Sequence, residues 1–248
     1  MKYITVLLIV LTTGSILAGS LDPTQKKWID RYQKQKQKNL PAAKDMLLNT
    51  DPEPDLKDGF ISLFNGKDLK GWTPVGGTCS YEVEDGCIVG TTIKGSASTY
   101  LCTDKADYTD FIFTCEMKWN VDGNSGVMFR SKYRENKKGK TAVGPQMEME
   151  GAGDARDWSG GIYGQGCGGW YYPLWMVEHK AARAAFNPDE WSRLVIQAKG
   201  NVVKTWINGV PVAHWVNDEY KSGCFGLQVH AGSKGEIMWK NLKVKELK

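Results

Sequence analysis

The chain has 248 residues, with 32 Lys plus Arg against 28 Asp plus Glu and 41% hydrophobic residues. Six basic and only two acidic residues lie between positions 21 and 40, so residues 41–248 carry a net charge near −1. A nearly neutral folded region argues against nucleic acid as a partner, because binding to phosphates needs a basic surface.

The first 20 residues have the pattern of a secretory signal peptide. Lys2 is followed by an apolar run from 4 to 18, which ends in small residues. This run is too short and ends too abruptly to be a membrane span. Ser20 stands where a bacterial lipoprotein signal would carry its cysteine. We therefore predict a secreted or periplasmic protein without a membrane span.

Residues 21–57 are predicted to form a basic, partly helical N-terminal extension, with helices near 24–38 and 41–48. A third helix is expected near 178–186. The leader "KKWIDRYQKQKQK" (26–38) is rich in Lys and Arg. A charged run of this kind favours a solvated helix or tether over a binding element.

Residues 58–248 are predicted to form one all-β domain. In "DFIFTCEMKW" (110–119) apolar and polar residues alternate, which is the period of a half-buried strand. Asn208-Gly209 indicates a type I′ hairpin turn, because both central residues of that turn need positive φ. About a dozen such short strands predict an antiparallel β-sandwich of the jelly-roll type.

The six cysteines of an exported chain suggest one to three disulfides, and we suggest Cys167 with Cys224 as one pair. No two cysteines are spaced as CxxC, and the three histidines lie far apart. The sequence therefore contains no zinc motif.

The stretch "GPQMEMEG" (144–151) places Gln146, Glu148 and Glu150 at alternate positions, with Met147 and Met149 between them. On a strand, this pattern sends the three polar side chains to an open groove and both methionines into the core. The alternative is an exposed strand with ordinary solvent-facing acids. Carboxylates two residues apart on a strand lie roughly 6–7 Å apart, and such a pair raises the pKa of one member, which allows acid and base roles.

The same spacing resembles the ExDxE strand of retaining β-glucanases, which have a concanavalin-like sandwich. Gln146 occupies the position of the nucleophile expected from that resemblance. Direct double displacement on an ordinary glycoside is therefore disfavoured.

Further polar candidates lie on other predicted strands. Arg130 follows the predicted turn 124–126 and is a fixed cation able to bind a ligand oxygen, with a surface ion pair as the alternative. Gln228 and His230 share a strand face, and His230 is the candidate acid or base, with a buried hydrogen-bonded histidine as the alternative.

A glycine-rich loop system at 157–175 carries several aromatic residues that suit sugar rings. The predicted carbohydrate-binding side chains in it are Trp158, Trp170, Tyr172 and Trp175.

Taken together, the motifs from about 58 to 247 resemble the 3-keto-disaccharide hydrolase family. The resemblance is carried by "FISLFNGKDLKGW" (60–72), "YEVEDGCIVGT" (81–91), "DGNSGVMFRS" (122–131), "GPQMEMEG", "SGGIYG" (159–164), "EWSRLVIQAKGNVVKTWINGVPV" (190–212) and "GLQVHAGSKGEIMWKNLKVKEL" (226–247).

The resemblance implies a concanavalin A-like jelly roll that acts outside the cytoplasm on glycosides whose C3 hydroxyl is oxidised to a ketone. The ketone acidifies the C2 proton, so a base can start an elimination that expels the C1 substituent, after which water adds. Under this hypothesis the base is Glu148 or Glu150, Arg130 is the oxyanion partner, His230 is the proton donor, and Gln146 and Gln228 position the sugar. A divalent cation held by the same carboxylates is a further possibility.

Two non-catalytic functions remain open at this point. A carbohydrate-binding module would use the same sandwich and aromatic residues, and an accessory subunit would dock to another exported enzyme. Several titratable candidates in one site favour an enzyme, because a simple lectin site needs fewer of them.

Overall fold

The computed structural model describes residues 19–35, 40–136, 139–152 and 156–247. The predicted signal peptide lies outside these residues except for its last two positions, so export remains a prediction. Of the helices in the described ranges, none is long and apolar enough to cross a membrane.

Two antiparallel sheets make up most of the described chain. Their strands are β1 (Ile61–Ser62), β2 (Trp72–Gly76), β3 (Ser80–Glu84), β4 (Cys87–Thr91), β5 (Thr99–Thr103), β6 (Phe111–Val121), β7 (Asn124–Asn136), β8 (Gly139–Glu150), β9 (Ile162–Gln165), β10 (Gly169–Tyr172), β11 (Ser192–Lys199), β12 (Val202–Ile207), β13 (Val210–Val216), β14 (Cys224–Val229) and β15 (Glu236–Glu246). One sheet has the order β13-β12-β11-β6-β15-β4-β3, with β1 beside β15, and the other has the order β10-β9-β8-β7-β14-β5-β2. The predicted all-β jelly-roll sandwich is confirmed.

The core lies between the two sheets and follows the period-two patterns of the sequence. Phe111 and Phe113 of β6 contact Phe225 of β14 in the opposite sheet, with ring centroids 4.7 and 4.6 Å apart. Met147 and Met149 of β8 belong to the same fully buried core. Because successive strand residues point to opposite faces, their polar neighbours on β8 point away from it. Both methionines lie in the core as predicted, and the three polar side chains lie on the other face of β8, but that face is covered, since Gln146, Glu148 and Glu150 are at most 6% exposed.

The hairpin between β12 and β13 has the predicted turn. Asn208 and Gly209 have φ angles of 51° and 85°. Positive φ at both central positions is the requirement of a type I′ turn, which Asn and Gly tolerate at low steric cost.

The helices are shorter than predicted. A 3₁₀ turn at Pro23–Gln25 leads into α1 (Lys26–Tyr32), and one at Val177–His179 leads into α2 (Lys180–Arg183). In the region 41–48 only the 3₁₀ turn Ala43–Asp45 forms. The chain then runs extended toward the first sheet, where the Asn49 side chain donates to Thr205 O of β12.

The N-terminal extension packs on the sandwich, which corrects the prediction of a solvated tether. Gln25 and Ile29 are buried, at 6% exposure each. Trp158 Nε1 donates to Gln25 Oε1 at 2.8 Å, and Asp22 forms an ion pair with Arg183. The helix is basic only on its outer face, so its charge did not reveal its buried contacts.

The cysteine prediction is also corrected, because all six cysteines are free in the structure. Cys167 Sγ lies 3.2 Å from Tyr220 Oη and is not bonded to Cys224. Sequence position alone carries no information on whether two thiols meet at bonding geometry.

Candidate active site

The centre of the candidate site is Glu148, on the outer face of β8. Its side chain is nearly buried, at 6% exposure. Asn124 Nδ2 of β7 donates to Oε1 at 2.8 Å, and Gln146 Nε2 donates to Oε2 at 2.7 Å. Both carboxyl oxygens therefore have a protein donor, which fixes the orientation of the group.

Burial raises the pKa of Glu148 to about 8, and the nearby charge of Glu150 adds to this effect. The hydrogen bonds from Asn124 and Gln146 and the charge of Arg156 oppose it, but they do not outweigh desolvation. Glu148 thus titrates in the range in which a carboxyl group can both take and return a proton.

A row of amides and hydroxyls continues from Glu148 across the sheet. Gln146 Nε2 also donates to Gln228 Oε1 of β14 at 3.0 Å. Gln228 Nε2 lies 3.5 Å from Tyr100 Oη of β5, which also accepts from Gln165 Nε2 of β9 at 2.5 Å. The two predicted positioning residues, Gln146 and Gln228, are therefore connected to Glu148 by hydrogen bonds.

Gly126 allows this row to form. It pairs with Glu148 across β7 and β8 and with Gln228 across β7 and β14. A Cβ atom at this position would lie 2.5 Å from three side-chain atoms of Gln146. Only glycine lets the Gln146 side chain lie flat across the neighbouring strand.

We expect Gly126→Ala to displace Gln146 and to lower the free energy of unfolding by about 1–3 kcal/mol, as overpacking of a filled site does. Gln146 is fully buried, so it cannot move aside without losing its bonds to Glu148 and Gln228. Urea unfolding of both proteins measures the difference. Gly232→Ala is the control, because its Cβ would meet no atom closer than 3.5 Å. Equal stability of the two variants would contradict the prediction.

Glu150, the third polar residue of β8, holds a cation beside the site. Its Oε1 lies 2.5 Å from Arg156 Nη2, and its Oε2 accepts from the Trp158 backbone N–H at 3.0 Å. Rings of four aromatic residues surround the Arg156 guanidinium at 5.2–5.7 Å from their centroids: Trp28, Tyr32, Trp158 and Trp170. Planar guanidinium groups stack well on such rings. Arg156 is thus fixed in place.

Glu148 and Arg156 line a groove of about 340 Å³ on the outer face of the second sheet. Glu148 and Asn124 lie on its central strands, Tyr163 and Trp170 come from β9 and β10, and His230 follows β14. The size and the mixture of aromatic and polar side chains suit a small polar ligand such as a sugar.

Comparison with known proteins identifies the domain. A family model described as 3-keto-alpha-glucoside-1,2-lyase-like domain matches residues 59–245. The chain belongs to this family. The resemblance inferred from the sequence motifs is confirmed, and with it a carbohydrate-related function. No curated protein sequence matches the chain.

Solved structures with the same fold include two candidate glycosyl hydrolases from Parabacteroides distasonis ATCC 8503. The first is 24% identical, with a TM-score of 0.54 over 77% of this chain and 94% of that chain. The second is 22% identical, with a TM-score of 0.51 over 79% and 90%. A Bacillus subtilis protein of galectin-like fold is 13% identical, with a TM-score of 0.50 over 79% and 97%. At these identities the likeness concerns the fold alone.

Of the other residues predicted from the sequence, His230 and Trp170 also line the groove. His230 is exposed, and its Nδ1 lies 2.6 Å from Ala231 O. Because a carbonyl oxygen only accepts, Nδ1 carries a proton, and Nε2 is the nitrogen able to exchange one with a ligand. Trp170 is 1% exposed and stands edge-on to Tyr163.

Arg130 does not reach the groove, and its predicted role as oxyanion partner is corrected. Its side chain is 1% exposed. The guanidinium donates to the backbone oxygens of Thr109, Gly200 and Tyr220 and pairs with Asp110 at 3.0 Å. Arg130 therefore joins loops at one end of the sandwich, and burial lowers the pKa of its guanidinium.

Three of the four aromatic residues predicted to bind carbohydrate also lie outside the groove. Trp158, Tyr172 and Trp175 are at most 3% exposed and lie beneath the N-terminal extension. Tyr172 Oη donates to Leu47 O at 2.5 Å, and Trp175 Nε1 lies 3.2 Å from Met46 Sδ. These rings anchor the extension and do not face the groove, which corrects their predicted contact with sugar.

Sequence reasoning missed several residues of the groove. Asn124 was assigned to a turn, but it is the first residue of β7 and pairs with Glu150. Gln165 follows Tyr163 at the alternate position of β9, a signal that the period of a strand could have revealed. Arg156 lies in a region of the chain with no repeating pattern, and nothing in the sequence marked it.

Metal binding has no support in the geometry of the described ranges. In them, no three His, Cys, Asp or Glu side chains are grouped as ligands of an ion. The divalent cation considered from the sequence therefore stays a prediction.

Proposed function

We propose that this chain is an exported enzyme that cleaves 3-keto-glycosides by elimination of the leaving group, followed by hydration. The observation that carries the proposal is Glu148, a buried carboxyl group in an aromatic-lined groove with a pKa raised to about 8. A carboxylate of that pKa is a stronger base than an ordinary one. The lyase-like description of the family and the amide at Gln146 both favour elimination over displacement.

The proposed reaction has two stages. Glu148 removes the C2 proton, and the electron pair forms an enolate whose charge lies on the C3 oxygen. The ketone then re-forms, a C1–C2 double bond appears, and the bond from C1 to the leaving oxygen breaks as that oxygen takes a proton. In the second stage the oxygen of a water molecule adds to C1 while His230, which gave its proton to the leaving oxygen, takes one proton from that water, and protonated Glu148 returns a proton to C2.

The order of the side chains across the sheet matches the order of the reacting atoms. Arg156 packs on Trp170 of β10, Glu148 lies on β8, and His230 follows β14. A sugar ring with C2 at Glu148 can therefore place its C3 oxygen toward Arg156 and its C1 substituent toward His230. Arg156 takes the role of oxyanion partner that the sequence suggested for Arg130, and His230 donates the proton to the leaving oxygen.

The test is release of 4-nitrophenol from 4-nitrophenyl 3-keto-α-glucoside, compared with its unoxidised parent. We expect release from the keto compound alone. Deuterium at C2 is expected to slow the reaction, because that C–H bond breaks in the elimination. A deuterium label at C5 serves as the control, because C5 is not adjacent to the ketone and no bond to its hydrogen breaks.

Two results would overturn the proposal. Equal release from both glycosides would indicate an ordinary glycosidase. Binding of both without release would indicate a carbohydrate-binding module, with Glu148 as a binding residue.

A further inference from the structure

The groove has a wall that does not belong to the family domain. The family match begins at residue 59, but Trp28, Arg31 and Tyr32 of α1 line the groove that contains Glu148. We propose that two residues of the N-terminal extension are a working part of the active site: Trp28 contacts the oxidised sugar ring and Tyr32 positions Arg156. This inference rests on the proposed function and adds to it the residues that hold the keto ring.

The wall is attached through specific, partly buried hydrogen bonds. The Gln35 amide pairs with both backbone groups of Trp170: Trp170 N donates to Gln35 Oε1 at 2.8 Å, and Gln35 Nε2 donates to Trp170 O at 2.7 Å. Trp170 lies on β10, the last strand of the sheet, so the Gln35 amide occupies an edge that would otherwise be open. Gly169 is required there, because a Cβ would lie 2.2 Å from Gln35 Oε1.

Tyr32 connects this wall to the cation of the site. Its hydroxyl accepts a hydrogen bond from Arg156 Nη1, and its ring lies 5.6 Å from that of Trp158. Arg156 is therefore held from two sides, by Glu150 of the family domain and by Tyr32 of the extension. Loss of the Tyr32 hydroxyl leaves the ring stacking intact but removes one of the hydrogen bonds that orient the Arg156 guanidinium.

Trp28 supplies the surface for the sugar. It is half-buried, so part of its ring faces the groove, and Arg156 packs against the ring at 5.2 Å. Since Arg156 is placed at the C3 oxygen, a ring beside it contacts the oxidised sugar and not the leaving group. The apolar C–H face of a sugar packs well on an indole ring.

The experiment uses the full chain with Trp28→Ala, Tyr32→Phe and, as the control, Lys34→Ala, an exposed residue of the same segment. We expect Trp28→Ala to raise KM for methyl 3-keto-α-glucoside about tenfold, with little change in kcat. Tyr32→Phe is expected to lower kcat about tenfold, with KM nearly unchanged, because it affects the enolate more than the bound ketone. The small methyl leaving group ensures that both effects report on the oxidised ring.

Calorimetric binding of methyl α-glucoside separates this inference from the proposed function. If no glycoside is cleaved but Trp28→Ala still weakens sugar binding relative to Lys34→Ala, the role of Trp28 in sugar binding is supported and the proposed elimination is wrong. If the wild type cleaves the keto compound and all three variants have the same kcat and KM as the wild type, the proposed elimination is supported and the proposed roles of Trp28 and Tyr32 are wrong. Equal losses of kcat in Tyr32→Phe and Lys34→Ala would also overturn the role of Tyr32.

Discussion

Glu148→Gln is expected to reduce kcat/KM for the 3-keto-glucoside by about 10²- to 10⁴-fold, the usual contribution of a general acid–base group. The amide has nearly the same shape but cannot take the C2 proton. The groove keeps its aromatic walls, so binding of the sugar should persist. Steady-state kinetics and sugar binding on the same preparation measure the two effects separately.

Glu84→Gln is the matched control, because it makes the same change at an exposed position of β3 in the other sheet. We expect wild-type kinetics from it. Unchanged turnover in Glu148→Gln would remove Glu148 from the reaction and leave the groove without the base proposed for it.

The stability of the protein is expected to depend on pH through the same residue. The pKa of Glu148 is about 8 in the folded protein, against an ordinary value of 4.5. Between these values the folded chain holds a proton that the unfolded chain has released, so stability falls as pH rises from 4.5 through 8. Each unit by which the two pKa values differ corresponds to about 1.4 kcal/mol, so the full loss is several kcal/mol.

The measurement is urea unfolding of wild type and Glu148→Gln at several pH values from 5 to 9. The free energy of unfolding of wild type should fall relative to that of the variant across this range, since other titrating groups cancel in the difference. Glu84→Gln should run parallel to wild type. If the curves of wild type and Glu148→Gln are parallel, Glu148 is not the buried acid described above.

The local pattern of β8 was sufficient to predict the floor of the site. Alternation of polar and apolar residues determines which side chains share a face, and this period depends only on the backbone of one strand. The structure accordingly buries Met147 and Met149 and places Gln146 and Glu148 on the outer face. Asn208-Gly209 was predictable for the same reason, because the φ requirement of the turn is local.

Arg130 and Arg156 mark the point at which sequence reasoning failed. Both follow the same chemical logic, since a fixed cation suits an enolate oxygen. Arg130 belongs to the motif at 122–131, but its side chain binds loop carbonyl oxygens. Arg156 belongs to no motif, but its ion pair with Glu150 holds it at the groove. Whether Arg130 or Arg156 reaches the site depends on contacts between segments that are distant in the sequence. The sequence near each arginine does not reveal these contacts.

What the sequence determined by itself was the set of strands, the face that each presents and the family, because these follow from local periodicity and from motif order. Only the tertiary structure decided what covers the outer face of the second sheet. The N-terminal extension resembled a tether, but its Gln25 and Gln35 form hydrogen bonds with residues more than 130 positions away, Trp158 and Trp170. Such contacts form where two surfaces complement each other after folding, so the wall of the site could be seen only in the folded chain.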